Sequence, residues 1–90
     1  MDMDWNVEFA ESSERELARL PVKVKIKALE KIQLLRFYPT RHGVKKLAGN
    51  DYYSIRFFGD HYRIVFRLFS EQRLVLITRV RHRSNAYRGL

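Results

Sequence analysis

Hydrophobic and polar side chains alternate along three stretches in the second half of the chain, at residues 52–58, 61–69 and 73–80. A period of two is typical of β-strands that bury one face and expose the other. The middle stretch shows the division most clearly, with Tyr62, Ile64, Phe66 and Leu68 on one face and Arg63, Val65 and Arg67 on the other. The pattern therefore predicts an antiparallel meander with one apolar face and one face rich in guanidinium groups.

Short polar segments separate these stretches. Gly59-Asp60 predicts a turn of the kind that closes two-residue hairpins, because glycine takes a positive φ without steric cost. Residues 70–72 turn the chain again before the third stretch. Near the start of the chain, residues 5–9 alternate in the same way and predict a short strand that has one buried face.

A short helix is expected after that first strand. Ser13 followed three residues later by Glu16 matches a capping box, which predicts that a helix begins there. Leu17 and Leu20 would form its buried side.

A second, longer helix is predicted from Pro21 to about Arg36. Proline is well tolerated at the first position of a helix, where its missing N–H costs nothing. The apolar residues of this segment recur at helical spacing and are expected in the core: Val24, Ala28, Leu29, Ile32 and Leu35. Val44 and Leu47 then look like apolar anchors of the segment before the meander.

The predicted order of elements is β-α-α-(β)-β-β-β. It indicates an α+β fold in which a small antiparallel sheet carries two N-terminal helices packed on one face, as a single domain over residues 1–90. The chain has no cysteine and no apolar run long enough to span a membrane, and its start is acidic where a secretory signal would be basic. We therefore expect a soluble cytoplasmic protein with no membrane partner.

Charge is divided unequally between the two halves. Residues 1–40 carry seven basic and seven acidic side chains, so the net charge of +8 belongs entirely to residues 41–90. Clustered cations bind polyanions by releasing phosphate counterions, which points first to nucleic acid. A basic surface that serves only solubility is the alternative, but it would not be confined to one half.

Several kinds of chemistry are unsupported by the residues present. The three histidines, His42, His61 and His82, are too dispersed in the sequence for a metal site, and no Gly-rich phosphate loop or serine nucleophile elbow is recognisable. We therefore expect no metal and no cofactor. The residues present are compatible with metal-independent cleavage of RNA, since it needs charge stabilisation and proton transfer only.

Arginines suit the stabilisation of a phosphate transition state, because their planar donors match phosphate oxygens. Arg56, Arg63 and Arg83 would converge if the strands of the meander are neighbours. Tyr87 or His82 would then carry the proton transfers. The alternatives are that these arginines are ordinary surface residues, that His82 is merely solvated, and that Tyr87 covers a sheet edge.

The aromatic residues also permit two interpretations. Tyr52 and Phe58 have the opposite strand parity to the expected core residues, so they are candidates for stacking on unpaired bases, as in many RNA-binding proteins. Packing at the core or at an edge of the sheet is the alternative for both.

Four segments together carry a family resemblance: Val-Lys-Lys-Leu-Ala-Gly at 44–49, Tyr-Ser-Ile-Arg-Phe at 53–57, Gly-Asp-His-Tyr-Arg-Ile-Val-Phe at 59–66, and Val-Arg-His-Arg-Ser-Asn-Ala-Tyr-Arg at 80–88. They resemble the RelE/ParE toxin superfamily, the toxin halves of bacterial type II toxin–antitoxin pairs. The predicted order of elements agrees. The closing segment resembles the RelE branch, which implies a ribosome-dependent mRNA endonuclease.

The resemblance also implies roles for individual residues. Arg63 matches an arginine that contacts the phosphate, Arg83 matches one offered to the transition state, and Tyr87 matches a tyrosine that stacks on or orients the attacked nucleotide. Arg56 stands where a basic residue helps to activate the 2′-OH. Ser54 stands where some members have another basic residue, which serine cannot replace.

The general base therefore stays open, with His82 as a candidate. The RNA-binding residues are expected to be Lys45, Lys46, Arg79, Arg81 and Arg88.

The implied partners are a cognate antitoxin, with which the toxin forms a hetero-oligomer, and the bacterial ribosome with mRNA in its A site. Two other functions stay open. One is inhibition of DNA gyrase, as in the ParE branch, and the other is nucleic-acid binding by a homologue without activity.

Overall fold

The fold is α+β, as predicted. A computed structural model of the chain describes residues 4–49 and 51–90, and we number its elements in chain order. They are β1 (Asn6–Phe9), α1 (Glu11–Arg19), α2 (Val22–Phe37), β2 (Lys45–Lys46), β3 (Tyr52–Phe57), β4 (Tyr62–Phe69) and β5 (Leu74–His82). None of the described helices is both long enough and apolar enough to cross a membrane.

The five strands form one sheet in the order β1-β5-β4-β3-β2. The meander β3-β4-β5 is antiparallel, as the alternation indicates, whereas β1 pairs with β5 in the parallel sense. The sheet is therefore mostly rather than wholly antiparallel. A parallel pair requires a long crossover, and α1 and α2 are part of the connection that returns the chain from β1 to the meander.

The helices cover one face of the sheet, which we call the inner face. α2 begins at Val22, one residue after the predicted start, and buries Val24, Ala28, Ile32 and Leu35 in the core. From the sheet, Ile55, Phe57, Ile64, Phe66, Val75, Ile77 and Val80 complete this core.

Leu29 was expected in the core but is 47% exposed. Successive residues of a helix point about 100° apart, so the residue that follows the buried Ala28 turns away from the sheet. The prediction for Leu29 is wrong for that reason.

The predicted capping box is also wrong. α1 begins at Glu11, so Ser13 lies inside the helix, fully buried, and its hydroxyl contacts the carbonyl oxygens of Ala10 and Ile77 at 2.8 Å each. The Glu16 carboxylate accepts the Val80 N–H at 2.9 Å. Because β1 pairs with β5 only as far as Ile77, α1 binds the edge of β5 beyond that point.

The loop between β3 and β4 is longer than the predicted two-residue turn. Phe57 pairs with Tyr62, which leaves four residues in the loop. Phe58 and Gly59 both lie in the left-handed region, at φ +54° and +67°. For a residue with a side chain this conformation costs about 1–2 kcal/mol.

Candidate active site on the outer face of the sheet

The face of the sheet opposite the helices, here called the outer face, carries a row of arginines. The register places Arg56 of β3 opposite Arg63 of β4, and Arg63 opposite Arg81 of β5. Like charges directly opposite each other destabilise a sheet, so this row needs a negative charge nearby.

Asp60 in the β3–β4 loop supplies that charge. Its Oδ1 lies 3.1 Å from Nη2 of Arg63 and 3.4 Å from Nη1 of Arg56, and its Oδ2 lies 3.3 Å from Nη1 of Arg83. The predicted convergence of Arg56, Arg63 and Arg83 is thus confirmed, and they meet at one carboxylate. The loop is long enough to turn Asp60 back toward the strand ends.

The ionisation of Asp60 reflects these neighbours. Loss of hydration raises the pKa of its carboxyl, but the charges of Arg63, Arg56 and Arg83, with a hydrogen bond from Arg63, outweigh that effect. The pKa of Asp60 is therefore held below its usual value of 3.8. At neutral pH the group is an anion encircled by three guanidinium groups.

The three arginines differ in how firmly they are held. Only 15% of the Arg63 side chain is exposed, and its Nη1 also donates to the carbonyl oxygens of Asp60 and Tyr62 at 3.0 and 3.1 Å. Arg56 and Arg83 are 56% and 52% exposed. Arg63 is therefore fixed by the backbone, whereas the other two can turn toward a bound anion.

Tyr87 lies on the same face. Its hydroxyl is 2.7 Å from the hydroxyl of Ser54, which is buried in β3 two residues before Arg56. Residues two apart in a strand are separated by about 7 Å. The phenol is thus one strand repeat from the arginine row, and the Ser54 hydroxyl is occupied by it.

The segment that follows β5 is tied down over the sheet. Nη1 of Arg79 donates to the carbonyl oxygens of Ala86 and Arg88, and Ala86 is fully buried. Val65 on the outer face is fully buried as well, although strand alternation alone would expose it. This anchoring holds Tyr87 in place.

The His82 ring makes its contacts away from the arginine cluster. The ring packs edge-on against Tyr62, with centroids 5.4 Å apart, and Tyr62 belongs to the inner face. Its Nδ1 lies 2.9 Å from the Ser84 hydroxyl and 3.2 Å from the Ser84 backbone nitrogen. The role of His82 in proton transfer stays a prediction.

The expected RNA-binding residues fall into two groups. Arg81 donates to Glu16 at 2.7 Å and Arg79 binds backbone oxygens, so both have structural partners. Lys45, Lys46 and Arg88 are exposed. RNA binding by any of the five stays a prediction. Within residues 4–49 and 51–90, no three His, Cys, Asp or Glu side chains group closely enough to hold a metal.

The chain matches the family described as ParE toxin of type II toxin-antitoxin system, parDE, over residues 7–87. No protein of curated function is similar enough to count as a match.

Solved structures are similar throughout the fold. The RelBE2 toxin–antitoxin complex of Mycobacterium tuberculosis matches at 28% identity and a TM-score of 0.79, covering 90% of this chain and 100% of that one. A free variant of the Escherichia coli toxin RelE matches at 25% identity and 0.76, covering 88% and 83%. The YoeB/ParE toxin of Agrobacterium tumefaciens, 19% identical, shares the fold at 0.75, covering 86% and 96%. The chain is therefore a toxin of a type II toxin–antitoxin system and belongs to the RelE/ParE family.

Proposed function

We propose that this toxin is a metal-independent endoribonuclease that cleaves mRNA in the ribosomal A site and so stops translation in the cytoplasm. The observation that supports this function is the meeting of three arginines at one carboxylate. Guanidinium groups that surround a carboxylate at ion-pair distance are suited to surround a phosphate in the same way.

The cleavage step requires charge stabilisation and two proton transfers. The 2′-oxygen forms a bond to phosphorus, the bond from phosphorus to the 5′-oxygen breaks, and a proton passes from the attacking oxygen to the leaving one. In this proposal Arg63 holds the phosphate, and Arg56 and Arg83 bind the charge that develops on its oxygens. The ribosome supplies the mRNA in a pose from which attack is possible.

Tyr87 orients the attacked nucleotide and, with His82, is assigned the proton transfers. The His82 ring packs against Tyr62, whereas Tyr87 lies on the outer face with the arginines, which favours Tyr87 as the group near the 2′-OH. Ser54 has no part as a base, since it is buried and bonded to Tyr87.

The test is primer extension on a defined mRNA that is translated in a purified bacterial system. We expect cuts within A-site codons that require ribosomes. Arg83→Ala should lower the cutting rate about 100-fold, the usual effect of removing one donor to a transition-state anion. Tyr87→Ala should also abolish cutting. Arg19→Ala, at an exposed position on α1, is the matched control.

Neither Arg83→Ala nor Tyr87→Ala should alter antitoxin binding. Intact mRNA in the presence of the unchanged protein would refute the nuclease.

Inhibition of DNA gyrase is the second candidate function, and the ParE description of the matching family favours it. A gyrase inhibitor binds without chemistry, so Arg83 and Tyr87 would be dispensable as a reacting pair. A supercoiling assay with purified gyrase distinguishes the two functions. An inactive nucleic-acid-binding homologue would leave both mRNA and supercoiling unchanged.

A cognate antitoxin is the proposed protein partner, as in the RelB–RelE complexes among the similar structures. The solvent side of α2 supports it, because large apolar side chains are exposed there: Val22, Ile26, Leu29, Leu34 and Phe37. The helix also carries five basic residues and one acidic residue. An amphipathic antitoxin segment with acidic flanks would match this surface.

A further inference from the structure

A groove of about 550 Å³ opens beside the arginine cluster, at the edge of β3. Its walls include Lys31 of α2, His42 and Lys45 from the segment around β2, and Arg56 and Phe58 from β3 and its loop. β2 pairs only with Tyr53 and Ser54, so it stops before this part of the β3 edge. The groove therefore lies where the short edge strand leaves the sheet uncovered.

The chemistry of the groove is cationic and aromatic. Two lysines, one arginine and one histidine line it, and none of its lining residues, all of them within the described part of the chain, is acidic. Arg56 belongs both to this groove and to the cluster around Asp60, since its Nη1 lies 3.4 Å from that carboxylate. An anionic chain could thus run from the groove to the arginine cluster without interruption.

The Phe58 ring packs edge-on against Tyr62, with centroids 6.1 Å apart, but this contact leaves much of the ring in solvent. The Phe58 side chain is 39% exposed although its backbone has a left-handed conformation that is costly for a bulky residue. Phe58 also lines a second groove of about 540 Å³, whose other walls include Lys27, Lys31, His61 and the acidic Glu30. Phe58 is therefore shared by two grooves in which basic side chains outnumber acidic ones.

The backbone of both walls has the same unusual conformation. Among the described residues, three that are not glycine have a positive φ. Two of these three, His42 and Phe58, line this groove. Each is followed by a glycine at positive φ. Strained conformations of this kind concentrate at binding and catalytic sites. Their presence on both walls favours a ligand in the groove over two loop conformations without function.

We propose that this groove binds an unpaired ribonucleotide next to the scissile one, with its base stacked on Phe58 and its phosphate between Lys31 and Lys45. Aromatic rings flanked by cations bind single-stranded RNA in this manner, because every base has a face to stack and every link carries a charge. The inference rests on the proposed function in taking RNA as the ligand. It adds a second nucleotide site to the one at the arginines.

The test is an NMR titration of the full ¹⁵N-labelled chain with a 2′-O-methylated tetranucleotide, which cannot be cleaved by 2′-OH attack. We expect saturable shifts at the amides of Gly43, Lys45, Phe58 and Gly59. Phe58→Ala should weaken binding about 5- to 150-fold, the range for the loss of one stacked base. Phe58→Tyr should bind almost as well, because the ring remains.

Phe37→Ala is the matched control, since Phe37 is a similarly exposed aromatic residue of α2. Lys45→Ala on the opposite wall provides a second variant, and it should weaken binding and reduce its dependence on salt. A dispersed ¹⁵N spectrum establishes that each variant is folded. Shifts confined to residues around Asp60, or binding unchanged by both Phe58→Ala and Lys45→Ala, would overturn the proposal.

Failure of the groove proposal can be distinguished from failure of the nuclease proposal. If the unchanged toxin cuts mRNA and Phe58→Ala cuts it equally well at limiting mRNA, the groove is not a nucleotide site although the nuclease stands. If the tetranucleotide binds in the groove but no mRNA is cut, the groove is a nucleotide site and the nuclease is refuted.

Discussion

At the scale of single residues, Asp60 resolves a conflict that the strand register creates. Two positive charges at 4 Å repel each other by about 1 kcal/mol even in water, and the outer face brings several guanidinium groups together. One carboxylate contacts Arg56, Arg63 and Arg83 and keeps them convergent. A bound phosphate would have to share or displace these contacts, so Asp60 sets the resting geometry of the cluster.

The pH dependence of stability should report on this carboxylate. Its pKa is lower in the folded chain than the ordinary value of 3.8, so its contribution is present above pH 3.8 and is lost as pH falls through the folded pKa. Asp60→Asn should therefore lower the melting temperature at pH 6, with a smaller difference from the unchanged protein at pH 2.5.

Circular dichroism melts at the two pH values measure this difference. Asp51→Asn, at an exposed acidic position outside the cluster, is the control and should show no such change. A difference for Asp60→Asn that is the same at both pH values would contradict the prediction.

The sequence predicts part of this site. Alternation and strand order suffice to bring Arg56 and Arg63 onto one face, and the convergence with Arg83 follows from the meander. The ion pairs of Asp60 were not predicted, because the turn alone already explained the pair Gly59-Asp60. Its position four residues after Arg56 and three before Arg63 was the available signal. The position of His82 depends on side-chain contacts that strand parity does not determine.

At the scale of elements, α1 acts as a cover for the open edge of β5. Glu16 accepts the Val80 N–H and binds Arg81, so it satisfies a backbone donor that no strand reaches. An exposed row of such donors would invite pairing with other chains. The helix thus completes the sheet with side chains where β1 ends.

Glu16→Ala should consequently destabilise the fold. Leaving a buried donor without its acceptor costs about 1–3 kcal/mol. Glu11→Ala removes only an exposed pair with Arg15 and should cost less than about 1 kcal/mol. Urea unfolding of both variants measures the two free energies, and equal values would contradict the assigned role of Glu16.

The sequence alone could not show whether Ser13 caps α1 or lies inside it. A serine and a glutamate three residues apart match a capping box, but on a helix the same spacing places both on one side. Only the neighbouring strand decides which arrangement forms. The long period-two stretches of the meander were predictable because burial of one face fixes their register.

At the scale of the whole molecule, two surfaces of different chemistry face opposite ways. The outer face is rich in arginine, and the solvent side of α2 exposes apolar side chains between lysines. Such a division allows a nucleic-acid target and a protein partner to be recognised by different residues. Toxicity and neutralisation should therefore be separable by substitution.

Leu29→Glu is the substitution that separates them. It places a charge in the exposed apolar stripe of α2 and should weaken antitoxin binding at least tenfold, because the charge would be buried at the interface. Growth arrest by the toxin alone should persist, since no contact of the arginine cluster changes. Calorimetric titration with the cognate antitoxin measures the affinity.

Ser12→Glu, an exposed charge change on α1, is the matched control for this experiment. Full neutralisation of Leu29→Glu by the antitoxin would place the interface elsewhere on the toxin.

The parallel pairing of β1 with β5 also determines how late in synthesis the sheet can be completed. Asn6 pairs with Leu74, so the first strand leaves the ribosome long before its partner exists. At ordinary elongation rates the delay is roughly 3–14 s. Arg83 and Tyr87 are added later still. If Arg83 and Tyr87 carry the activity as proposed, a nascent toxin is inactive until its final segment emerges, whereas α2 and its apolar stripe have already left the ribosome.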